Sequence, residues 1–330
     1  MSALDRAAAM NGRNKGGIML GSFISSRHYA ELLARGRQAG PRMLELDPAQ
    51  LARHYNRQPF VFAHALAGNE HFALPRLFDL CRRMDSRKIR YRIGEIPDDA
   101  HFDSSFDRYK AGLSLEDAID RFEEERAYVV IYNPELDPEY RVVIEGVLAE
   151  IAADTASLDP EMTWYSTYIF ISTRDAVTPY HMDREMNFLC QIRGTKRVQL
   201  WNPADEEVMT DAQKDLLLAH VGERPTFRDA LENKASTFDL GPGMGVHHPF
   251  IAPHRVYTGR DLSVSLAVTY RTRRSDVCTA AHVFNAKLRR LGWRPLPVGR
   301  SRALDRCKAA GLRLFRRGRG LIRGRGDGRA

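Results

Sequence analysis

The chain is poor in cysteine and has no long apolar segment, and both features narrow the class of protein. Its four cysteines, at positions 81, 190, 278 and 307, are far apart and form no C-x-x-C pair. This pattern favours reduced thiols over a disulfide framework or a zinc knuckle. No apolar run approaches the roughly 20 residues that a membrane span needs, so we expect no transmembrane segment. The amino terminus carries Asp5 early and lacks the apolar core of a secretory signal, so we expect a cytoplasmic protein.

Acidic residues are almost absent from the C-terminal segment. Residues 271–330 contain 18 Lys and Arg against 3 Asp and Glu, a net charge of +15. Because the whole chain carries +8, residues 1–270 carry −7. Clustered arginines bind anionic lipid or nucleic acid, and the leucines among them would also suit a second subunit. The segment therefore predicts contact with an anionic surface or a homodimer, and a solvated disordered end is the alternative.

The pattern of apolar residues changes near the middle of the chain. Residues 1–25 are small, polar and interrupted by glycine, which is typical of a mobile leader. Helical patterns follow, with Asp47 as a cap before Pro48 and a capping box that begins at Ser114. After Thr163, short β-branched and aromatic runs separated by Gly and Pro predict a sandwich or small barrel.

These patterns predict an α+β protein with a double-stranded β-helix, or jelly-roll, core. The core spans about residues 163–272 within a domain of residues 26–275, and helices precede it. A helical insert interrupts the strands at residues 204–235, and a basic helical tail, residues 276–330, ends the chain. A length of 330 residues suffices for one domain of this size with appendages.

A histidine and an aspartate lie two residues apart in the stretch "TPYHMDREMNFLCQIRGTKR". His181 and Asp183 have the same parity in an extended segment, so both side chains leave one face. A ferrous site that activates oxygen needs three protein ligands on one face, which two imidazoles and one carboxylate supply. The third ligand should come from a later strand. We favour His254, which precedes the strand-like "LSVSLAVTY", and His247 and His248 are the alternatives.

The same stretch resembles a known family. It is similar to the cupin-fold JmjC-type oxygenases, especially asparaginyl hydroxylases of the factor-inhibiting-HIF type, in which T-P-x-H-x-D-x-x-x-N-F-x-x-Q-I-x-G-x-K-R recurs at the same spacing. The later "GPGMGVHHPFIAPHRVYTGRDLSVSLAVTY" resembles the distal histidine region of the family and of its bacterial cupin-like relatives. The resemblance covers residues 45–300.

The resemblance implies an enzyme that uses Fe(II) and 2-oxoglutarate to hydroxylate a C–H bond of a protein side chain or a small molecule. It implies that His181, Asp183 and His254 bind the iron. The alternative is a non-catalytic metal-binding cupin with a regulatory role or a contact with nucleic acid. A ligand set accompanied by Lys196 favours the enzyme, because a purely structural metal site has no need of a carboxylate-binding lysine.

The resemblance also implies which residues bind the cosubstrate. In the family a lysine, a threonine and a tyrosine meet the far carboxylate of 2-oxoglutarate, and Lys196, Thr178 and Tyr128 match those positions. Asn187 matches a family position near the metal. One position departs from the family: Ala267 replaces an asparagine that helps to hold the metal-bound carboxylate. Binding at that end of the cosubstrate is therefore in question.

Overall fold

The computed structural model describes residues 21–326 except residues 99 and 101. The first 20 residues of the predicted leader, residues 1–25, lie outside the described part. The helices within it are α1 Ser26–Gly36, α2 Pro48–His54, α3 Leu74–Arg83, α4 Phe102–Arg108, α5 Leu115–Asp120, α6 Pro138–Thr155, α7 Asp211–Leu218, α8 Arg273–Arg290 and α9 Arg302–Gly326. Short 3-10 helices are Glu70–Phe72, Ser86–Lys88, Pro134–Leu136 and Asp229–Lys234.

Local sequence signals determine where two of these helices begin. The Asp47 carboxylate accepts a hydrogen bond from the Ala49 N–H at 2.9 Å, and Pro48 occupies the first turn of α2. Ser114 and Asp117 form a reciprocal capping box at the start of α5. The structure confirms both predicted signals. Each such cap stabilises its helix by about 1 kcal/mol.

Strands form two antiparallel sheets. The strands are β1 Ser22–Phe23, β2 Leu44–Glu45, β3 Phe60–His64, β4 Ile89–Arg92, β5 Tyr128–Tyr132, β6 Met162–Ser172, β7 Val177–Met182, β8 Met186–Arg193, β9 Lys196–Leu200, β10 Ser236–Leu240, β11 Met244–His248, β12 Pro253–Thr258 and β13 Ser263–Thr272. The large sheet has the order β2-β3-β11-β8-β13-β6-β5-β4, and β1 pairs with β6. The small sheet has the order β10-β9-β12-β7. The predicted combination of helices with antiparallel sheets is confirmed, and the two sheets are consistent with the predicted jelly-roll core.

Alternation along β13 shows how the two faces of the large sheet differ. Leu266, Val268 and Tyr270 belong to the outer core, which they share with residues of α1, α3 and α6. Ala267, between them, belongs to an inner cluster that also contains Val198 of the small sheet. Successive side chains of a strand point to opposite faces. The inner face therefore lines the interior of the roll, between the two sheets.

The described chain divides into two compact units. Of the described residues, those up to residue 202 and those of 226–272 form the first unit, which contains both sheets. Residues 203–225 and the described residues from 273 onward form the second unit, with helices α7, α8 and α9. The division of the sequence into a leader, a domain of residues 26–275 and a tail stays a prediction. Within the described residues, no helix combines the length and the apolar character that crossing a membrane requires.

Candidate metal centre and its pocket

His181 and His254 lie side by side on neighbouring strands of the small sheet. They are register partners on β7 and β12, and their ring centroids lie 4.1 Å apart. Asp183 follows the last residue of β7, and its Oδ2 lies 3.9 Å from Nε2 of His254. One ligand atom from each of the three residues lies within 4.8 Å of the other two. The structure thus brings together the three predicted metal ligands.

Both histidines are held in the orientation that a metal ligand needs. Nδ1 of His181 lies 2.8 Å from the carbonyl oxygen of Pro179, and Nδ1 of His254 lies 3.1 Å from that of Ala252. A carbonyl only accepts, so each Nδ1 carries the proton and each Nε2 presents its lone pair. In both cases the acceptor stands two residues earlier. Any residue type supplies a backbone carbonyl, so this support leaves no signature in the sequence.

A β-bulge in β7 places Thr178 on the face of His181. His254 pairs with His181 and Val256 pairs with Thr178, so β12 advances two residues while β7 advances three. The extra residue reverses the alternation of side chains beyond it. The Thr178 hydroxyl lies 3.1 Å from the phenol oxygen of Tyr128 on β5. Simple alternation along the sequence would have placed Thr178 on the face opposite His181.

Lys196 lies on the same inner face, at the other end of the roll. Lys196 pairs with Thr258 on β12, whereas His254 of that strand pairs with Leu200. This offset of four residues corresponds to about 14 Å along the strands. The Lys196 ammonium donates a hydrogen bond to Oγ of Ser265 at 2.5 Å. Burial, with no counter-charge among the described residues, lowers the pKa of Lys196 to about 7.

Gly194 makes the turn that leads the chain into β9 at Lys196. Its φ of +67° lies in the left-handed region, which residues with a side chain rarely adopt. A Cβ atom at this position would also lie 2.3 Å from the carbonyl oxygen of Leu262. Glycine is therefore required for the turn that sets the position of the lysine.

Apolar side chains separate the two polar ends of the interior. Leu189, Val198, Val246, Val256 and Ala267 belong to the inner cluster and are buried. The interior thus has three zones: a cation that donates to the Ser265 hydroxyl, an apolar middle, and imidazoles with a carboxylate. Ala267 lies in the middle zone.

The two remaining histidine candidates lie on opposite faces of β11. His247 is buried in the outer core, where its ring stacks on Tyr55 with centroids 5.3 Å apart. Its Nδ1 lies 3.0 Å from the carbonyl oxygen of Asn187, and its Nε2 accepts the N–H of Asn56 at 3.2 Å. These contacts satisfy the whole imidazole. His247 is therefore a structural residue.

His248 faces the interior, close to the three converging residues. Its ring centroid lies 4.7 Å from that of His254, and it pairs in register with Asn187 on β8. Burial and the nearby His254 lower the pKa of His248 well below its usual value. Neither ring nitrogen of His248 has a hydrogen-bond partner, and the same holds for Oδ1 of Asn187. The sequence indicated His248 only as an alternative ligand.

Comparison with known proteins places the chain in a family. The family model described as a cupin-like domain matches residues 49–276, more than half of the chain. The chain belongs to the cupin-like family. Among curated proteins, none matches the sequence.

Solved structures similar to this cupin-like protein include ribosomal oxygenase YcfD from Escherichia coli. YcfD is 15% identical, with a TM-score of 0.43 over 82% of this chain and 67% of that chain. YcfD in complex with cobalt and 2-oxoglutarate is 16% identical, with a TM-score of 0.45 over 83% and 68%. Oxalate decarboxylase is 15% identical, with a TM-score of 0.23 over 34% and 23%. At these identities the likeness concerns the fold alone.

Proposed function

We propose that this cupin-like protein is an Fe(II)- and 2-oxoglutarate-dependent oxygenase that hydroxylates a C–H bond of a protein side chain or a small molecule. The observation that carries the proposal is the three-zone interior. A His-Asp-His set stands at one end, and at the other stands a buried lysine that has no counter-charge among the described residues. A dicarboxylate with a metal-binding 2-oxo acid end and an apolar middle matches all three zones.

In this proposal His181, Asp183 and His254 hold the iron. Two imidazole nitrogens and one carboxylate oxygen suit ferrous iron and leave open positions for other ligands. The Oδ2 atom of Asp183 lies 3.9 Å from Nε2 of His254, and the Asp183 side chain is 35% exposed.

The opposite end of the pocket suits the far carboxylate of 2-oxoglutarate. Lys196 would provide an ammonium, and the Thr178 and Tyr128 hydroxyl groups, 3.1 Å apart, would provide further hydrogen bonds. Asn187, with its buried and unpartnered Oδ1, would lie beside the metal-bound end. A bound carboxylate would supply the counter-charge that the buried lysine lacks. The pocket is therefore complete only with an anion in it.

When bound, ferrous iron and 2-oxoglutarate would supply the chemistry of hydroxylation with dioxygen as the oxidant: one oxygen atom enters the product, the other enters succinate, and carbon dioxide is released. The protein fixes the tautomer of both histidines through Pro179 and Ala252. Its apolar zone keeps water from the middle of the pocket, which strengthens the electrostatic contacts there. Lys196 holds its proton at Nζ as long as a carboxylate faces it, because the anion favours the charged form.

The proposal is tested by incubating the purified protein with Fe(II), 2-oxoglutarate and oxygen and measuring succinate. The expected result is slow succinate formation even without a substrate, and its loss in Asp183→Asn. The matched control is Asp239→Asn, an exposed carboxylate on β10 that pairs with Arg197. A protein that binds metal and yet forms no succinate and binds no 2-oxoglutarate would instead be the non-catalytic cupin.

We further propose that the basic tail contacts an anionic surface, lipid or nucleic acid, or a second subunit, in the cytoplasm. Within α9, Leu314 and Phe315 are 67% and 48% exposed. The arginines Arg306 and Arg313 of the same helix are exposed as well. Exposed apolar groups beside cations suit a surface that is both anionic and partly apolar. The Phe315 ring packs against Lys287, whose Nζ lies 4.8 Å from the ring centroid, and Leu314 is the more exposed of the two.

A further inference from the structure

His248 has a buried imidazole that the surrounding protein does not satisfy. The residue is 4% exposed, and among the described residues neither Nδ1 nor Nε2 has a hydrogen-bond partner. Leaving a buried polar group without a partner costs free energy. A valine or leucine, as found elsewhere on this inner face, would avoid that cost. The imidazole at this position therefore points to a ligand that completes its hydrogen bonds.

The geometry places this ligand at the metal centre. His248 is two residues from Val246 on β11, so both share the inner face of the roll. The His248 ring lies edge-on to that of His254, with centroids 4.7 Å apart and planes at 67°. Asn187, its register partner on β8, also has an unpartnered buried atom, but this Oδ1 can only accept a hydrogen bond. Of these unpartnered atoms, only a ring nitrogen of His248 can donate to a carboxylate.

The positions of the side chains do not favour direct coordination of the metal by His248. The ligand atoms that lie within 4.8 Å of one another among the described residues come from His181, Asp183 and His254 and do not include His248. A structural role is equally unsupported, because structural histidines satisfy their nitrogens as His247 does on the neighbouring face. What remains is contact with a group that is itself bound to the metal.

We propose that His248 donates a hydrogen bond to the metal-bound carboxylate of a 2-oxo acid, and so positions the cosubstrate at the metal end of the pocket. This inference rests on the proposed function, because it takes 2-oxoglutarate as the ligand. Ala267 lies in the apolar zone and has no polar side-chain atom. His248 provides the donor that this alanine does not.

The test measures binding in two steps with the full-length protein. Mn(II) is titrated first into the metal-free protein, and 2-oxoglutarate is then titrated into the Mn(II)-loaded protein without oxygen. His248→Leu should weaken 2-oxoglutarate binding about 10- to 100-fold, the effect expected from losing one hydrogen bond to a charged group. Its Mn(II) affinity should stay within about twofold of wild type. His248→Gln, which keeps an N–H donor, should recover part of the lost affinity.

His247→Leu is the matched control, since it removes the same side chain from the opposite face of β11. It should lower thermal stability, because two hydrogen bonds are lost, and leave 2-oxoglutarate affinity within about twofold of wild type in the folded fraction. If His248→Leu does not fold, His248→Phe keeps a ring of similar size without the nitrogens and takes its place.

The outcomes separate this inference from the function on which it rests. Wild-type protein that binds Mn(II) but not 2-oxoglutarate would overturn the proposed function. Wild-type protein that binds both, with equal 2-oxoglutarate affinity in the His248 variants, would overturn only the role of His248. Loss of Mn(II) binding in a folded His248 variant would also overturn it, because His248 would then act on the metal and not on its ligand.

Discussion

Replacing Lys196 by methionine should weaken cosubstrate binding and stabilise the cosubstrate-free protein at the same time. Methionine keeps an unbranched apolar stem of similar length in the interior and removes the ammonium. In the free protein this ammonium is buried and has a hydroxyl group, Ser265 Oγ at 2.5 Å, as its hydrogen-bond partner. It is therefore a group whose burial costs free energy until an anion arrives.

The magnitude follows from the pKa. Burial lowers the pKa of Lys196 from 10.5 to about 7. Between these values the unfolded chain binds more protons than the folded one, so the free energy of unfolding rises as pH rises from 7 towards 10.5. At pH 7 the depressed pKa corresponds to a cost on the order of 4 kcal/mol. Lys196→Met should therefore raise the free energy of unfolding at pH 7 by up to about that amount.

The loss of binding should be of comparable size. Removing the cationic partner of a buried carboxylate costs about 2 to 5 kcal/mol, or roughly 30- to 4,000-fold in affinity. The assay combines denaturant unfolding of the metal-free protein with titration of 2-oxoglutarate into the Mn(II)-loaded protein. Arg197→Met is the control, because Arg197 lies on the outer face of β9, is 59% exposed and pairs with Asp239. It should change either free energy by less than about 1 kcal/mol.

Wild-type affinity for 2-oxoglutarate in folded Lys196→Met would refute the proposed contact. A variant that is both less stable and impaired in binding would refute the claim that the buried Lys196 ammonium destabilises the free protein, since the lysine would then stabilise the fold.

Three further predictions concern pH, the metal and the tail. The affinity of the wild-type protein for 2-oxoglutarate should fall as pH rises above about 7, by at most tenfold per pH unit, because the free protein loses the Lys196 proton there. Titrations of 2-oxoglutarate at several pH values measure this change. An affinity independent of pH would contradict the prediction. Asp183→Asn should lower Mn(II) affinity at least tenfold in a protein that still folds, because it removes the one anionic ligand; unchanged affinity would exclude Asp183 from the ligand set. The double variant Arg306→Gln, Arg313→Gln should be retained less than wild type on anionic vesicles or on nucleic acid, whichever the protein binds, and this retention should depend on salt. Succinate formation should stay unchanged. Retention equal to wild type on both materials would exclude these arginines as the contact.

Much of the site could be predicted because its residues obey short-range rules. His181 and Asp183 are two residues apart, and the period of an extended chain alone places them on one face. The sequence favoured His254 over His247 and His248, and the register of the strands places His254 beside His181. The position of Thr178 was not predictable from alternation, because it depends on the bulge in β7.

The second unit shows a different limit of sequence patterns. The insert and the C-terminal helices were predicted as separate segments, although residues 203–225 join residues 273–330 in one compact unit. Within it, the buried Asp215 on α7 pairs at 2.7 Å with both His282 and Arg289 on α8. These contacts span more than 60 residues of sequence. No local period or motif encodes such a pairing, because it depends on where the intervening strands return the chain.

The length of the pocket is a property of strand register and not of any one side chain. On the small sheet, four residues of β12 separate His254 from Thr258, the partner of Lys196. On the large sheet, four residues of β13 separate Thr269, the partner of Asn187, from Ser265, which accepts the lysine hydrogen bond. Both sheets thus set the same distance between the two polar ends. A one-residue shift of register on either sheet would turn the inner residues outward, so the alternation of side chains fixes this distance as well.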